Sequence, residues 1–507
     1  MEVPNINLSP RVPLVPRLED KTKIDLRYMV IEPYVSIHIH FDSNLGELVY
    51  DVEEPLLSID DKKNLEKIEE AMREIVNITL IGGTGENKID YIWKTAQLVV
   101  SELGLQIEES TFQKMFYYLY RNFIGMNEIE AMMRDYFIED IECNGSNEPI
   151  YIVHRVFRNM RTNVVFKNPE YLSNFVEKLA QKTGKNISYA SPILDGSLPD
   201  GSRVNATYTQ DITSKGPTFT IRKFTKVPWT PIQLLGFNEM SPEMLAYFWI
   251  TLQYRSNVMI IGGTGTGKTT LLNAVAFFIP QEDRVVSIED TREINLPREN
   301  WLPSVVRSGV NVGGVGEVNM FSLLRGSFRQ NPDYVIVGEV RGEEASVLFQ
   351  GMASGHASIS TMHADSVDAL IRRLETPPIE LSPMLVNSLD VVAIISHAIV
   401  GGHETRRLRE IVEVVRVQPD GTALTNTPFV WNPANDKFYF KKESKVFEKI
   451  SNRFGISVET LRAEFEIRTK LIYAMFQKKV MGYEEVQRIF NDYKKNPAEV
   501  LRRFGVV

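Results

Sequence analysis

The sequence predicts an α/β protein: a parallel sheet with its helices, preceded by an α+β domain and followed by a helical end. Apolar segments at 257–261, 285–288 and 334–337 read as buried strands that alternate with helical patterns, which indicates βαβ units. The first of these segments runs directly into a glycine-rich turn and a helix. From residue 440 on, apolar residues recur at helical spacing.

The 507 residues are enough for two to four domains. A stretch with several prolines predicts an extended N-terminal tail, and two prolines around a tryptophan predict a linker of limited flexibility. We therefore divide the chain into a tail (1–27), an N-terminal α+β domain (28–225), a linker (226–233) and a C-terminal domain (234–507), which is mainly helical from 440.

Within the N-terminal domain, residues 28–52 have the composition of strands, and residues 60–77 and 88–136 have helical periodicity. Alternation in the first of these segments places His38 and His40 on one strand face. A metal site needs more ligands than two histidines provide, and the sequence shows no third ligand nearby. We therefore expect both histidines to be structural.

Composition excludes several classes of protein. No apolar run reaches the roughly 18 residues of a membrane-spanning helix, and the N-terminus lacks an apolar signal core, so we expect a soluble cytoplasmic protein. The single cysteine, Cys143, excludes a disulfide framework and a four-cysteine zinc module. A net charge of −8 gives no general attraction for nucleic acid, and we expect no nucleic-acid partner.

The glycine-rich turn fits the pattern G-x-x-x-x-G-K-[ST]. Its glycines let backbone N–H groups surround a polyphosphate, its lysine reaches the β- and γ-phosphates, and its hydroxyl holds Mg²⁺. The motif therefore predicts a nucleoside triphosphate and Mg²⁺ as ligands. The predicted nucleotide-binding residues are Gly262, Gly263, Thr264, Gly265, Thr266, Gly267, Lys268, Thr269 and Thr270.

Three further segments follow the phosphate loop. Glu289 and Asp290 come at the end of one buried strand, Glu339 comes just after the next, and His363 ends a glycine-started strand. Carboxylates at the carboxyl edge of a parallel sheet supply the oxygen ligands that Mg²⁺ prefers. The predicted metal ligands are Thr269, Glu289, Asp290 and Glu339.

The motifs VGEVRGEEA (337–345) and STMHADS (360–366), in order after the phosphate loop, resemble the type II/type IV secretion ATPase superfamily. The resemblance runs from about residue 138 to 374 and implies a RecA-like P-loop core. Residues 28–55 and 135–154, together with the missing tetracysteine insertion, resemble the archaeal branch, most nearly the ATPases of the archaellum, the archaeal swimming filament. Archaeal pilus and secretion ATPases lack that insertion too.

The resemblance implies roles for individual residues. Glu339 orients or deprotonates the attacking water, Glu289 orders magnesium, and His363 senses the γ-phosphate. Arg203 and Arg222 match positions where the family's N-terminal domain contributes arginines to the nucleotide cleft. Together with Lys268, these residues form the predicted catalytic set. Weaker candidates are His356, Arg325, Arg329 and Arg341.

These features lead us to expect a Mg²⁺-dependent ATPase that works as a homo-oligomeric ring, a hexamer, at the cytoplasmic face of the membrane. It would power assembly or rotation of an archaellum through a polytopic membrane platform protein and other filament-motor components. An archaeal pilus or type II-like secretion ATPase is the nearest alternative. A nucleotide-gated scaffold with little turnover and a nucleic-acid translocase are alternatives of other classes.

Overall fold

The computed structural model describes residues 4, 6–8, 20–75, 85–224, 227–307 and 316–506. The chain divides into two compact units, Met1–Phe224 and Thr225–Val507. Residues 9–19 of the predicted tail and residue 226 of the predicted linker lie outside the described residues.

The first unit is built on one nine-stranded sheet. Its strands are β1 (Asp25–Ile31), β2 (Val35–Asp42), β3 (Glu47–Glu53), β4 (Ile138–Cys143), β5 (Pro149–His154), β6 (Arg158–Val165), β7 (Ile193–Ser197), β8 (Arg203–Thr207) and β9 (Thr218–Arg222). The strand order is β1-β2-β3-β6-β5-β4-β9-β8-β7. Among the described strands of this sheet, β3 and β6 pair in parallel and all other neighbours pair antiparallel. β1 begins inside the segment predicted as a tail.

Alternating side chains explain why β2 is a strand. Ile37 and Ile39 are fully buried, whereas the residues between them lie on the outer face of the sheet. His38 and His40 therefore share that face, as predicted. The expectation that no third ligand lies near them is wrong, because Asp51 of β3 pairs directly with His38 across the sheet and belongs to the same cluster.

The described residues of the first unit contain five α-helices. They are α1 (Ile59–Ile75), α2 (Gly85–Glu102), α3 (Glu109–Leu119), α4 (Glu130–Arg134) and α5 (Pro169–Lys182). A single π-helical turn, Tyr120–Ile124, continues α3. The helical pattern predicted over 88–136 is thus several helices, and Gly104, with φ of +62°, lies in the turn that separates α2 from α3.

The second unit is also built on a nine-stranded sheet. Its strands are β10 (Val258–Ile261), β11 (Val285–Glu289), β12 (Trp301–Val305), β13 (Tyr334–Val337), β14 (Ala357–Met362), β15 (Val391–Val400), β16 (His403–Val417), β17 (Ala423–Asn432) and β18 (Lys437–Phe440). The order is β12-β11-β13-β14-β10-β15-β16-β17-β18. The strands from β12 to β15 are parallel, and those from β15 to β18 are antiparallel.

Helices pack on both faces of the parallel strands. They are α6 (Pro231–Gly236), α7 (Pro242–Gln253), α8 (Lys268–Ala276), α9 (Met320–Ser327), α10 (Glu344–Ala353), α11 (Val367–Glu375) and α12 (Pro383–Val386). The helical end consists of α13 (Lys445–Phe454), α14 (Val458–Gln477), α15 (Tyr483–Lys495) and α16 (Pro497–Phe504). α6 begins inside the segment predicted as a linker.

The buried residues of the second unit form two clusters, one on each face of the sheet. Residues of β10 divide between them, with Val258 and Ile260 in one cluster and Met259 and Ile261 in the other. Burial on both faces explains why these short strands are continuously apolar. The predicted α/β fold class is confirmed. Among the described residues, no helix combines the length and apolar character that crossing a membrane requires.

Candidate active site

The sheet order of the second unit brings the sequence motifs to one edge. β11, β13, β14 and β10 are consecutive parallel neighbours, so their carboxyl ends lie side by side. Glu289 ends β11, Glu339 follows β13 by two residues, and His363 directly follows β14. The phosphate loop follows β10. The motifs that are far apart in sequence are therefore neighbours at this edge.

The phosphate loop, residues 262–267, connects β10 to α8. Gly267 precedes α8 with φ of +96°, in the left-handed region that favours glycine. A Cβ atom at Gly262 would lie 2.3 Å from the carbonyl oxygen of Ile395 in β15. Only glycine fits there without moving the backbone. The loop therefore packs closely against β15. The free N–H groups of the first turn of α8 lie beside the loop.

Lys268 lies over its own loop. Its Nζ donates to the carbonyl oxygens of Gly262 and Gly263, at 3.1 and 2.8 Å, and lies 3.3 Å from Nδ1 of His363. Burial lowers the pKa of Lys268, whereas the nearby carboxylate of Glu339 acts in the opposite direction. The lysine therefore connects the loop directly to the histidine motif.

His363 bridges Lys268 and Glu339. Its Nε2 lies 2.7 Å from Oε1 of Glu339, while Nδ1 faces the lysine. Because an ammonium group can only donate, Nδ1 accepts from Lys268, and the neutral ring then carries its proton on Nε2. Oε1 of Glu339 lies close to that nitrogen but has no hydrogen-bond partner among the residues that the structure describes. Burial, followed by the charge of Lys268, lowers the pKa of His363, which favours this neutral form.

Arg341 spans two of the predicted acids. Its Nη2 donates to Oε2 of Glu339, and its Nη1 lies 3.3 Å from Oδ2 of Asp290. The hydrogen bond to Glu339 raises the pKa of Arg341. A continuous series of contacts thus runs from Lys268 through His363, Glu339 and Arg341 to Asp290.

Glu289 is buried at the end of β11, with 2% of the residue exposed. Its Oε1 accepts from the backbone N–H groups of Glu293 and Ile294, at 2.8 and 2.7 Å. Its Oε2 is buried without a hydrogen-bond partner among the residues that the structure describes. Burial raises the pKa of Glu289 to about 8. A buried carboxylate oxygen without a hydrogen-bond donor is suited to bind a cation, because the cation would take the place of the missing donor.

The residues at this edge fit Mg²⁺. Thr269 in the first turn of α8, Glu289, Asp290 and Glu339 offer only oxygen atoms, the ligands that this hard cation prefers. Their assignment as metal ligands stays a prediction, as does that of the phosphate loop as the nucleotide site.

Arg203 and Arg222 belong to the first unit, where they lie directly opposite each other in β8 and β9. Arg203 forms a bidentate pair with Asp195, with distances of 3.1 and 3.0 Å. Arg222 donates through Nε to Asp140 at 3.1 Å. Two like charges in direct cross-strand register cost stability unless anions offset them. Their role at a nucleotide stays a prediction.

The weaker candidates lie in different surroundings. His356 precedes β14 and is therefore at the opposite end of that strand from His363. Its Nδ1 lies 3.2 Å from the hydroxyl of Ser354, and its ring packs 4.8 Å from the ring of Phe328. Arg325 on α9 and Arg329 in the following 3₁₀ turn are exposed.

Sequence analysis missed Asn273 of α8. Its amide nitrogen donates to the carbonyl oxygens of Thr269 and Glu293, both at 3.1 Å, and its amide oxygen accepts from the N–H of Asn295 at 2.9 Å. The side chain thereby fixes the segment after β11 against the phosphate-loop helix. The sequence signal was a polar residue one turn after Thr269, in a helix that is otherwise apolar after Thr270.

Comparison with known proteins identifies the family. Residues 126–426 match the family described as Type II/IV secretion system protein, which covers more than half of the chain. The chain belongs to the type II/IV secretion ATPase superfamily.

Relatives of this superfamily match over different lengths. An uncharacterized protein of Methanocaldococcus jannaschii is 33% identical over 433 residues, covering 84% of this chain and 78% of its own. The Type IV secretion system protein PtlH of Bordetella pertussis is 30% identical over 226 residues, covering 40% of this chain and 67% of its own. Both matches are similarities of sequence and carry no activity over to this chain.

Solved structures of superfamily members are more distant. The VirB11 ATPase of Brucella suis is 22% identical, with a TM-score of 0.29, and the match covers 56% of this chain and 94% of that one. The ATPase DotB of Legionella pneumophila is 16% identical, with a TM-score of 0.41, and the match covers 71% and 93%.

Proposed function

We propose that this protein is a Mg²⁺-dependent ATPase that forms a ring and powers assembly or rotation of an archaeal filament, the archaellum. The observation that supports hydrolysis most directly is the series of contacts joining Lys268 of the phosphate loop to Glu339 through His363. A loop that only binds a nucleotide would not need an acid held at this edge. Membership of the secretion ATPase superfamily supports the same conclusion.

In the proposed reaction, Lys268 leaves the two carbonyl oxygens of its loop and pairs with the β- and γ-phosphates. Glu339 accepts a hydrogen bond from the attacking water and orients it in line with the bond to be broken. The water oxygen bonds to the γ-phosphorus, the bond to the β,γ-bridging oxygen breaks, and the water proton passes to Glu339 or to the phosphate product. Bound Mg²⁺ would neutralise charge on the phosphate oxygens.

His363 is suited to report this reaction because it contacts both the phosphate-binding lysine and the water-orienting acid. When Lys268 moves to the phosphates, its contact with Nδ1 of His363 must change. Loss of the γ-phosphate reverses that change. We propose that this exchange couples hydrolysis to movement of the chain, which the ring then passes to a membrane platform protein.

Two substitutions test the assignment. Lys268→Ala should lose Mg²⁺-ATP binding and turnover. Glu339→Gln should keep binding but reduce steady-state turnover by about 10²- to 10⁴-fold, the range for loss of a general base. Glu343→Gln, an exposed acid four residues further on, is the matched control and should keep wild-type turnover. Wild-type hydrolysis by purified Glu339→Gln would show that the water-orienting residue has been wrongly assigned.

The same assay separates the alternatives. A wild-type chain that binds ATP with no turnover in any condition would favour the nucleotide-gated scaffold, and turnover stimulated by DNA would favour the translocase. The filament is decided in cells by deleting the gene and scoring swimming filaments and adhesive pili separately. Loss of pili with intact swimming would replace the archaellum by a pilus while keeping the ATPase.

A further inference from the structure

The outer face of β1, β2 and β3 carries a group of side chains that hydrolysis at the phosphate loop does not use. The inner face of these strands is apolar and buried, as Ile37, Ile39 and Tyr50 show. On the outer face, His38 and His40 lie two residues apart on β2, among charged residues of β1 and β3. The outer face of these strands is polar, and a sheet surface without a binding role would not need two neighbouring imidazoles.

Three of these residues are placed as metal ligands would be. One ligand atom from each of His38, His40 and Asp51 lies within 4.8 Å of the other two. The imidazole rings are stacked, with centroids 4.4 Å apart and planes 20° apart. Asp51 pairs directly with His38 across β2 and β3, and its Oδ2 lies 3.8 Å from Nδ1 of His40. Antiparallel pairing therefore brings the three side chains together.

An unsatisfied nitrogen is the second, independent observation. Nδ1 of His40 is buried and has no hydrogen-bond partner among the residues that the structure describes. The distance to Asp51 is too long for a hydrogen bond. A buried polar atom without a partner costs free energy, and a bound cation shared with Asp51 would remove that cost.

His38 is oriented by a carboxylate from the neighbouring strand. Its Nε2 lies 2.7 Å from Oδ1 of Asp25, the arrangement in which a ligating histidine donates its other N–H to a carboxylate. Nδ1 is then the nitrogen for a metal. Nη2 of Arg27 lies 3.2 Å from that atom and must turn away, but Nε of Arg27 can still donate to Oε1 of Glu53, now at 3.1 Å.

We propose that His38, His40 and Asp51 form a site for one divalent transition-metal ion of the Zn²⁺ class, separate from the Mg²⁺ site of the second unit. Two imidazoles and one carboxylate favour such ions over Mg²⁺ or Ca²⁺. Zinc ligands lie about 2.0 to 2.2 Å from the ion, so the three atoms must close slightly around it. Asp51 has the freedom to do so, because 32% of its side chain is exposed.

Three protein ligands leave a fourth position on the ion. The side chains of His38 and His40 are 17% and 31% exposed, so water can fill that position. Bound metal would cross-link β2 to β3 at the edge of the first unit, because its ligands come from both strands. It would therefore stabilise this region of the sheet against local opening.

Zinc binding by the full-length, untagged chain tests the proposal. Chelator-treated protein is titrated with Zn²⁺ in excess Mg²⁺, which occupies oxygen-only sites, and Co²⁺ is used in parallel as a spectroscopic probe. Wild type should bind one equivalent. The double variant His38→Ala/His40→Ala should bind at least about a hundredfold more weakly and lose the visible Co²⁺ absorption, whereas Asp25→Asn should weaken binding about tenfold.

Two matched variants serve as controls. Glu47→Gln removes an exposed acid of the same strand as Asp51, and His356→Ala removes a histidine of the second unit, so neither should change Zn²⁺ affinity. Circular dichroism and ATP turnover of the double variant should match wild type, which shows that the chain is folded. A wild-type chain that binds no Zn²⁺, or a double variant that binds it as tightly as wild type, would overturn the proposal.

Discussion

Arg341 is the cation that Glu339 and Asp290 share in this structure. A guanidinium beside two carboxylates competes with Mg²⁺ for the same negative charge. Arg341→Ala should therefore bind Mg²⁺ roughly three- to tenfold more tightly in the absence of nucleotide, a modest gain because the exposed arginine is screened by solvent. Titration calorimetry measures this affinity. Arg325→Ala, an exposed arginine of α9, should leave it unchanged.

Unchanged or weaker Mg²⁺ binding by Arg341→Ala would contradict this view of the arginine. Turnover supplies an independent readout. If Arg341 also holds Glu339 in place, the variant should lose kcat while its Mg²⁺ affinity rises. Arg341→Lys keeps the charge but cannot span two acids in the same way. Its Mg²⁺ affinity and its kcat should lie between those of wild type and Arg341→Ala.

His154 is fully buried in the first unit, with its Nδ1 accepting from the N–H groups of Val156 and Phe157, both at 3.1 Å. Burial lowers the pKa of His154 to about 4, below its ordinary value of 6.5. The unfolded chain therefore takes up this proton at a higher pH than the folded chain. Stability from the neutral ring is fully present above pH 6.5 and is lost as the pH falls toward 4.

The histidine should account for about 2 kcal/mol of the unfolding free energy lost between pH 7 and pH 5. Urea unfolding of wild type and His154→Gln at both pH values isolates this contribution, because the carboxylates are common to both chains. The variant should be less stable at pH 7 and should show the smaller loss. Equal losses in the two proteins would show that His154 is not the group responsible.

At the scale of elements, Glu413 of β16 joins four parts of the second unit. It is 1% exposed, and its carboxylate accepts from the hydroxyls of Tyr247 on α7 and Ser444 before α13, at 2.9 and 2.5 Å. It also accepts from Asn426 on β17 and from the N–H of Lys445, both at 2.7 Å. These hydrogen bonds connect the antiparallel strands to α7, which precedes them in the chain, and to the start of α13, which follows them.

Glu413→Ala should lower the unfolding free energy of the second unit by roughly 3 kcal/mol or more, because it leaves several buried donors without an acceptor. Glu413→Gln retains one acceptor oxygen and should cost less. Urea unfolding followed by tryptophan fluorescence measures both. Glu404→Ala, an exposed acid of the same strand, should change stability by less than about 0.5 kcal/mol. A similar small effect of Glu413→Ala would contradict the importance of this network.

The sequence predicts the parallel strands well because continuous apolar runs next to motif residues are local features. Glu289, Glu339 and His363 each lie at the end of such a run, so the sequence predicts that they share one edge of the sheet. Contacts that depend on strand register cannot be predicted from the sequence in this way. The pairing of Asp51 with His38 and the position of Arg341 between two acids result from tertiary packing rather than from spacing along the chain.

The antiparallel extension was missed for a related reason. Residues 391–395 of β15 are buried and continuously apolar, whereas the remainder of the strand is more exposed. Periodicity alone does not separate such a mixed strand from a buried helix. The change from parallel to antiparallel pairing at β15 is likewise invisible in any single segment.

At the scale of the whole molecule, the proposed ring should depend on nucleotide. A ligand that binds the assembled form more tightly than the free chain shifts the equilibrium toward assembly. Glu339→Gln with Mg²⁺-ATP should therefore accumulate particles of six times the 57.9 kDa chain mass, whereas Lys268→Ala should not. Mass photometry or sedimentation measures the particles. Glu339→Gln that stays monomeric at every nucleotide concentration would contradict a nucleotide-dependent ring.

The seat of Gly262 against the carbonyl of Ile395 has a mechanical consequence. β15 is irregular where it meets the loop, since its pairing with β16 shifts between Ile394 and Ile395. If the loop shifted on binding phosphate, the contact between Gly262 and Ile395 would carry the displacement to this bulge, and the paired strands β15 and β16 would transmit it along their length. Strands that hold none of the predicted catalytic residues would then determine how far the displacement from each hydrolysis event extends.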